Sequence, residues 1–130
     1  GDFVYKDKKG YYYFKCRKDN LIIKGGENIF PAEVENVLFQ NQFIDECAVI
    51  GIKDEFLGQN ICAFVQLNNN SSLSETEILE FCKGKLSAYK LPKKILIINK
   101  INEFDEIPKG PTKKILYRVL QDYYENNFNN

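Results

Sequence analysis

The sequence predicts an α+β fold, a small central β-sheet with packed helices plus an N-terminal β-hairpin. Three observations predict it. Residues 47–52 and 61–67 are apolar runs of strand length separated by a charged loop containing Gly58. Two segments, after Pro31 and after Ser74, switch to helical spacing. Aromatic and β-branched runs, Phe3-Val4-Tyr5 and Tyr11-Tyr12-Tyr13-Phe14, flank Asp7-Lys8-Lys9-Gly10 near the N-terminus, where Gly10 supplies the positive φ that a hairpin turn favours. Helices interspersed among a few strands in this way pack as layers around one sheet.

In chain order, residues 3–15 form the hairpin, and Leu21-Ile22-Ile23 forms a short strand that reaches Gly25-Gly26. Pro31 then occupies a first helical turn, where a missing N–H is no loss. Val34, Val37 and Leu38 fall at i, i+3 and i+4 on one buried face. The runs 47–52 and 61–67 are central strands, and Asn68 to Ser72 is a solvated loop. Ser74 and Glu77 make a capping box, and Ile78, Leu79, Cys82 and Leu86 continue a helix over residues 75–87. Residues 94–98 form the third main strand, the Pro108 to Thr112 region turns the chain, and a closing helix occupies 115–123. Residues 125–130 are read as a disordered tail.

The 130 residues, 44% hydrophobic and 28% charged, suffice for one packed core. The 18 basic and 18 acidic residues cancel, which removes the positive field that collects nucleic acid. No apolar run approaches the roughly 18 residues of a membrane span, and no secretory leader opens the chain, so a cytoplasmic protein is the expectation. Cys16, Cys47, Cys62 and Cys82 are widely spaced within or beside apolar stretches and read as buried thiols. With no histidine in the chain, His-ligated metal sites and imidazole-based nucleophilic pairs are excluded, and no metal site is read. Any catalysis rests on lysine, arginine or carboxylates. The start, Gly1-Asp2-Phe3, enters a strand pattern without a methionine and reads as cut from something longer.

Two segments could carry chemistry. Lys24-Gly25-Gly26 leads into the Pro31 helix; adjacent glycines let a ligand approach the backbone, and equally they suit a tight strand-to-helix turn. Residues 107–116 present Lys113 and Lys114 on a Pro/Gly-punctuated loop. That loop is either a solvated basic turn or a mount for a compact positive charge facing a phosphate or carboxylate.

Taken together, these segments resemble the adenylate-forming (AMP-binding) enzymes. Gly1-Asp2 is similar to the end of that superfamily's T-G-D segment, and residues 11–19 to its G-Y-x-x-F-x-G-R-x-D. Residues 108–116 are similar to P-x-x-x-x-G-K-[IL]-L. Residues 24–35 nearly reproduce K-x-G-G-E-N-I-x-P-x-E-V-E of the fatty-acyl and medium-chain acyl-CoA synthetases. The resemblance implies the C-terminal lid domain (residues 19–124) of such a synthetase, with residues 1–18 as a hairpin ending the nucleotide-binding region. It implies a reaction in which a carboxylic acid and ATP give acyl-adenylate and pyrophosphate, after which CoA displaces AMP. Lys114 would bridge the substrate carboxylate and the α-phosphate, Asp2 and Arg17 would hold nucleotide, and Asp19 would be the hinge. After rotation Lys24, Gly25 and Gly26 would line the pantetheine path.

The implied partners are the enzyme's own N-terminal adenylating domain, ATP, CoA and the acid, with Mg²⁺ carried by ATP in that other domain; the isolated fragment would be inactive. Two positions depart from the pattern: Cys16 and Lys113 each stand where glycine is usual. Lys113 in that place weakens the case that the turn requires a positive φ. Lys114 is chosen over Lys113 because it directly precedes Ile115-Leu116. The alternatives are the lid of an adenylation domain that loads a carrier protein, or a free-standing, non-catalytic binding module.

Overall fold

A computed structural model describes residues 2–6, 13–17, 20–69 and 71–128. Two strands, β1 (Asp2–Lys6) and β2 (Tyr13–Arg17), pair antiparallel as the expected hairpin, in a sheet of their own. The second sheet contains β3 (Ile22–Lys24), β4 (Glu27–Ile29), β5 (Ile44–Asp54), β6 (Gly58–Leu67) and β7 (Lys94–Ile97). Its strands run in the order β4-β3-β6-β5, with β7 pairing parallel to β6 beside β3. Three helices complete the fold: α1 (Pro31–Leu38), α2 (Glu75–Cys82) and α3 (Tyr117–Phe128).

The long antiparallel pair β5–β6 explains the apolar runs. Successive side chains point to opposite faces of a sheet, and here both faces are covered. Cys47, Val49, Ile61, Ala63 and Val65 face a core that includes Val34, Val37 and Leu38 of α1 and Ile78 and Cys82 of α2. Ala48, Ile50, Cys62 and Phe64 face the opposite core, with Ile98, Ile107, Leu120 and Tyr124. A strand that is solvated on one side would alternate; these do not, because neither side meets water.

The helix starts follow the chemistry of their sequences. Glu33 Oε2 accepts the Phe30 N–H at 3.1 Å just before Pro31 opens α1. Ser74 Oγ accepts the Glu77 N–H at 3.1 Å, while Glu77 Oε1 accepts the Ser74 N–H at 3.0 Å. The helix ends differ from expectation. α2 stops at Cys82 rather than 87, because Lys83 turns extended and Gly84 takes φ +86°. α3 begins at Tyr117 rather than 115, since Ile115 is bridged to Lys109, and it continues to Phe128 through residues read as tail. There the ring of Phe128 stacks on Tyr124, and Lys94 Nζ lies 3.7 Å from the Phe128 ring centroid, so the last turn gains contacts that solvated polar residues would not provide.

Strand β4 was not expected. Lys24 and Glu27 are register partners, so Gly25-Gly26 is a two-residue hairpin loop. The type I′ form of such a loop takes positive φ at both central positions to match strand twist, and the glycines sit at φ +56° and +85°. A Cβ on Gly25 would lie 2.3 Å from Tyr89 Oη, whereas one on Gly26 would meet nothing within 4 Å. Gly25→Ala is therefore expected to destabilise the fold by about 2–3 kcal/mol and Gly26→Ala by about 1 kcal/mol. Urea unfolding of the two variants checks the difference; equal losses would contradict it.

Candidate functional site

Residues 108–116 fold back on themselves as a small hairpin. The Lys113 N–H donates to Gly110 O, the Gly110 N–H to Lys114 O and the Leu116 N–H to Pro108 O, each at 2.9 Å. Pro111 presets the turn, and the chain then closes through a left-handed residue, the arrangement of a turn followed by a bulge. That residue is Lys113, at φ +65°, the one non-glycine at positive φ among the described residues. Although a lysine there weakens the case for a positive φ, the turn takes one, and the lysine meets it at a cost of about 1–2 kcal/mol relative to glycine.

The loop is fastened to the sheet from below. Lys109 and Glu46 of β5 form an ion pair, each about a quarter exposed. Where the loop enters α3, Tyr117 donates its hydroxyl to Glu35 Oε2 at 2.7 Å, and the same oxygen accepts the Val49 N–H at 3.0 Å. Between loop, α1 and β5 lies a cleft of about 520 Å³, lined by Pro31, Glu35, Glu46, Lys109, Lys113 and Lys114 among others. Lys113 and Lys114 are both exposed there, and neither ammonium has an acceptor among the described residues. The cleft thus offers two free cations on a backbone held by three hydrogen bonds, an arrangement suited to an anionic ligand.

The Gly25-Gly26 turn lies at a second place, and neither glycine lines the cleft. Lys24 is buried, and its ammonium donates to Tyr89 O at 2.7 Å and lies 4.6 Å from that ring's centroid. Burial lowers its pKa. The Tyr89 hydroxyl in turn donates to Lys24 O, and the Gly25 N–H donates to Leu57 O at 2.8 Å. Beside them Lys90 pairs with Glu33 Oε1 at 2.6 Å. Asp54 orders the neighbouring β5–β6 turn by accepting the Phe56 and Leu57 N–H groups at 2.9 Å each. These bonds, with that from Asn60, hold its carboxyl down at about 2.

Residues 33–114 match the family described as AMP-binding enzyme C-terminal domain. The chain belongs to that family. This AMP-binding enzyme C-terminal domain is 39% identical to the 2-succinylbenzoate–CoA ligase of a Geobacillus species over 129 residues, 99% of the chain but 25% of the relative. A solved Mycobacterium tuberculosis fatty acyl CoA synthetase superposes with a TM-score of 0.77 at 39% identity, over 97% of this chain and 24% of that one. A Bacillus subtilis o-succinylbenzoate CoA synthetase, solved in complex with its acyl-adenylate intermediate, gives a TM-score of 0.75 at 35% identity over 94% and 24%. The domain spans about a quarter of the length of these relatives.

Of the residues singled out in the sequence, Asp2 and Arg17 become direct register partners at the open end of the β1–β2 hairpin. Asp19 lies outside the described residues. Lys114 stands on the cleft, apart from Lys24, Gly25 and Gly26. Cys47, Cys62 and Cys82 are buried free thiols as expected; burial pushes the Cys62 thiol up to about 12 and Cys47 further, so neither is a nucleophile at neutral pH. Among the described residues no cluster of three or more His, Cys, Asp or Glu could hold a metal, and no helix is long and apolar enough to cross a membrane. Sequence reasoning missed Glu35, Glu46, Lys109 and Tyr117, the fastening of the loop. Glu35 stood inside the matched P-x-E-V-E pattern and Lys109 inside the matched 108–116 segment, at a position that pattern leaves open; the pairings themselves carried no signal, because they span long separations along the chain.

Burial raises the Glu35 carboxyl above its ordinary value of 4.5, against the pull of the Tyr117 and Val49 hydrogen bonds. The folded chain therefore holds this proton more tightly than the unfolded chain. The resulting stabilisation is complete below pH 4.5 and is lost as pH rises through the raised value. Glu35→Gln keeps a carbonyl acceptor and removes the titration. It is expected to match or exceed the native stability at pH 8 and to flatten the stability profile from pH 4.5 upward, as read by urea denaturation across pH. An unchanged slope would contradict this assignment.

Proposed function

We propose that this domain is the lid of an ATP-dependent acyl-CoA synthetase that converts a carboxylic acid, ATP and CoA to acyl-CoA, AMP and pyrophosphate. The observation that carries the reading is Lys114: an exposed ammonium with no acceptor among the described residues, on a hairpin closed by backbone hydrogen bonds, at the end of the segment matched to the family. The relatives named as CoA ligases, one of them solved with an acyl-adenylate, support the choice of reaction.

In the adenylation step the acid's carboxylate oxygen attacks the α-phosphorus of ATP and pyrophosphate leaves. Two anions must meet, and charge accumulates on the α-phosphate oxygens as the bond forms. Lys114 bridges the carboxylate and these oxygens, offsetting their repulsion and holding the reacting atoms together. The loop's hydrogen-bonded backbone fixes the point from which the Lys114 side chain reaches the reacting groups. Asp2 accepts hydrogen bonds from the ribose hydroxyls, and Arg17 across the hairpin from it contacts the ribose or phosphate. Mg²⁺ comes with ATP in the adjoining N-terminal domain.

In the second step the thiol of CoA attacks the acyl carbon and AMP leaves. The lid rotates about Asp19 and presents the other face. Gly25 and Gly26 line the pantetheine path with bare backbone. Lys24 serves that face by position rather than by charge, since its ammonium is turned onto Tyr89. The domain by itself binds ATP weakly and makes no acyl-CoA, because the acyl pocket and the ATP phosphate loop belong to the N-terminal domain. The enzyme is assigned to the cytoplasm and to activation of fatty or related acids.

In the full-length enzyme that carries this domain, Lys114→Ala is expected to lower ATP–pyrophosphate exchange by about a hundredfold or more. Retained exchange in Lys114→Ala, with its loss in Lys113→Ala, would overturn the assignment.

A further inference from the structure

We propose that Lys113 is a second phosphate-facing cation for the adenylation step, kept at a glycine-favouring backbone position because of its charge. The inference rests on the adenylation reading above and adds a residue to it. Three observations carry it. Lys113 is the only described non-glycine residue at positive φ, and its backbone is fixed there by the Lys113 N–H to Gly110 O bond on one side and the Gly110 N–H to Lys114 O bond on the other. Its side chain lines the same cleft as Lys114. It has no hydrogen-bond acceptor and no carboxylate at ion-pair distance among the described residues, whereas Lys109 in the same loop is paired with Glu46.

A solubilising surface lysine would need no such position; any exposed site on the loop would serve. At Lys113 the left-handed backbone disfavours residues with a Cβ, asparagine and aspartate least, so the lysine is held at a cost in stability. What the side chain adds is a mobile ammonium beside Lys114, on the path of a substrate that carries several negative charges. Two adjacent cations deepen the local positive potential and strengthen binding of a triphosphate. The contribution is Coulombic and is screened by salt, because both groups are exposed.

The test uses the full-length enzyme with Lys113→Gly, Lys113→Asn and Lys113→Arg, reading Tm together with kcat/KM for ATP in pyrophosphate exchange at low and high salt. Glycine relieves the backbone and asparagine tolerates it; both remove the charge, and arginine keeps it. Expected are a higher Tm for Lys113→Gly and a fall in kcat/KM for ATP of about five- to tenfold at low salt in the glycine and asparagine variants. That deficit narrows at high salt, and Lys113→Arg retains most of the native value. The proposal is overturned if Lys113→Gly keeps kcat/KM within about twofold at low salt, if Lys113→Arg falls as far as Lys113→Gly, or if Tm drops in Lys113→Gly. Lys114→Ala run alongside separates the two claims. If it abolishes exchange while Lys113→Gly does nothing, only the role of Lys113 fails; if it leaves exchange intact, the adenylation reading fails as well.

Discussion

Burial of the β5–β6 pair on both faces is the constraint on which the rest of the structure depends. Its side chains alternate between two cores, one closed by α1 and α2 and the other by α3 with the chain around Ile98 and Ile107. A sheet covered on one side only would leave Cys62 and Phe64 in water; covering both sides requires the chain to cross from one layer to the other. The crossing after β7 is tied at Asn99, whose amide pairs with both backbone groups of Leu67, and at Ile107, whose N–H donates to Gln66 Oε1. It delivers the Lys114 loop to the end of α1. The position of Lys114 thus follows from how the apolar runs are covered.

Helix α1 links the two faces of the domain. Glu33 and Glu35 are two residues apart, roughly 200° around a helix, and so point to opposite sides. Glu33 takes Lys90, next to the Tyr89 that packs on the Gly25-Gly26 turn. Glu35 takes Tyr117, at the end of the Lys114 loop. One short helix therefore fixes the spacing between a surface of bare glycine backbone and a surface of free lysine charge. In the proposed reading, two half-reactions that need different chemistry are served by two surfaces held at a set spacing by this helix.

Much of this was legible in the sequence, and the reasons are physical. Continuous apolar runs marked the strands buried on both faces, the Ser74–Glu77 pair marked the start of α2, and Pro31 marked the start of α1. What escaped reading was set by contacts distant in the chain. Strand β4 is three residues long and polar at two of them, so only its pairing with β3 defines it. The last turn of α3 is held by Lys94 and Tyr124 against Phe128 rather than by propensity. At Lys113 the sequence misleads, since a lysine argues against a left-handed backbone that the loop's three hydrogen bonds nevertheless impose. The lysine loop was visible as a motif; the fastenings beneath it were not, because each joins residues far apart in the chain, Lys109 to Glu46 and Tyr117 to Glu35.

The central claim is that the two surfaces serve separate half-reactions, with Lys114 belonging to the first alone. The most direct measurement supplies the full-length Lys114→Ala enzyme with preformed acyl-adenylate and CoA and follows thioester formation in a single turnover. A rate within a few-fold of the native enzyme is predicted, because the glycine face is intact in that variant. Loss of thioester formation as severe as the loss of adenylation would contradict the account.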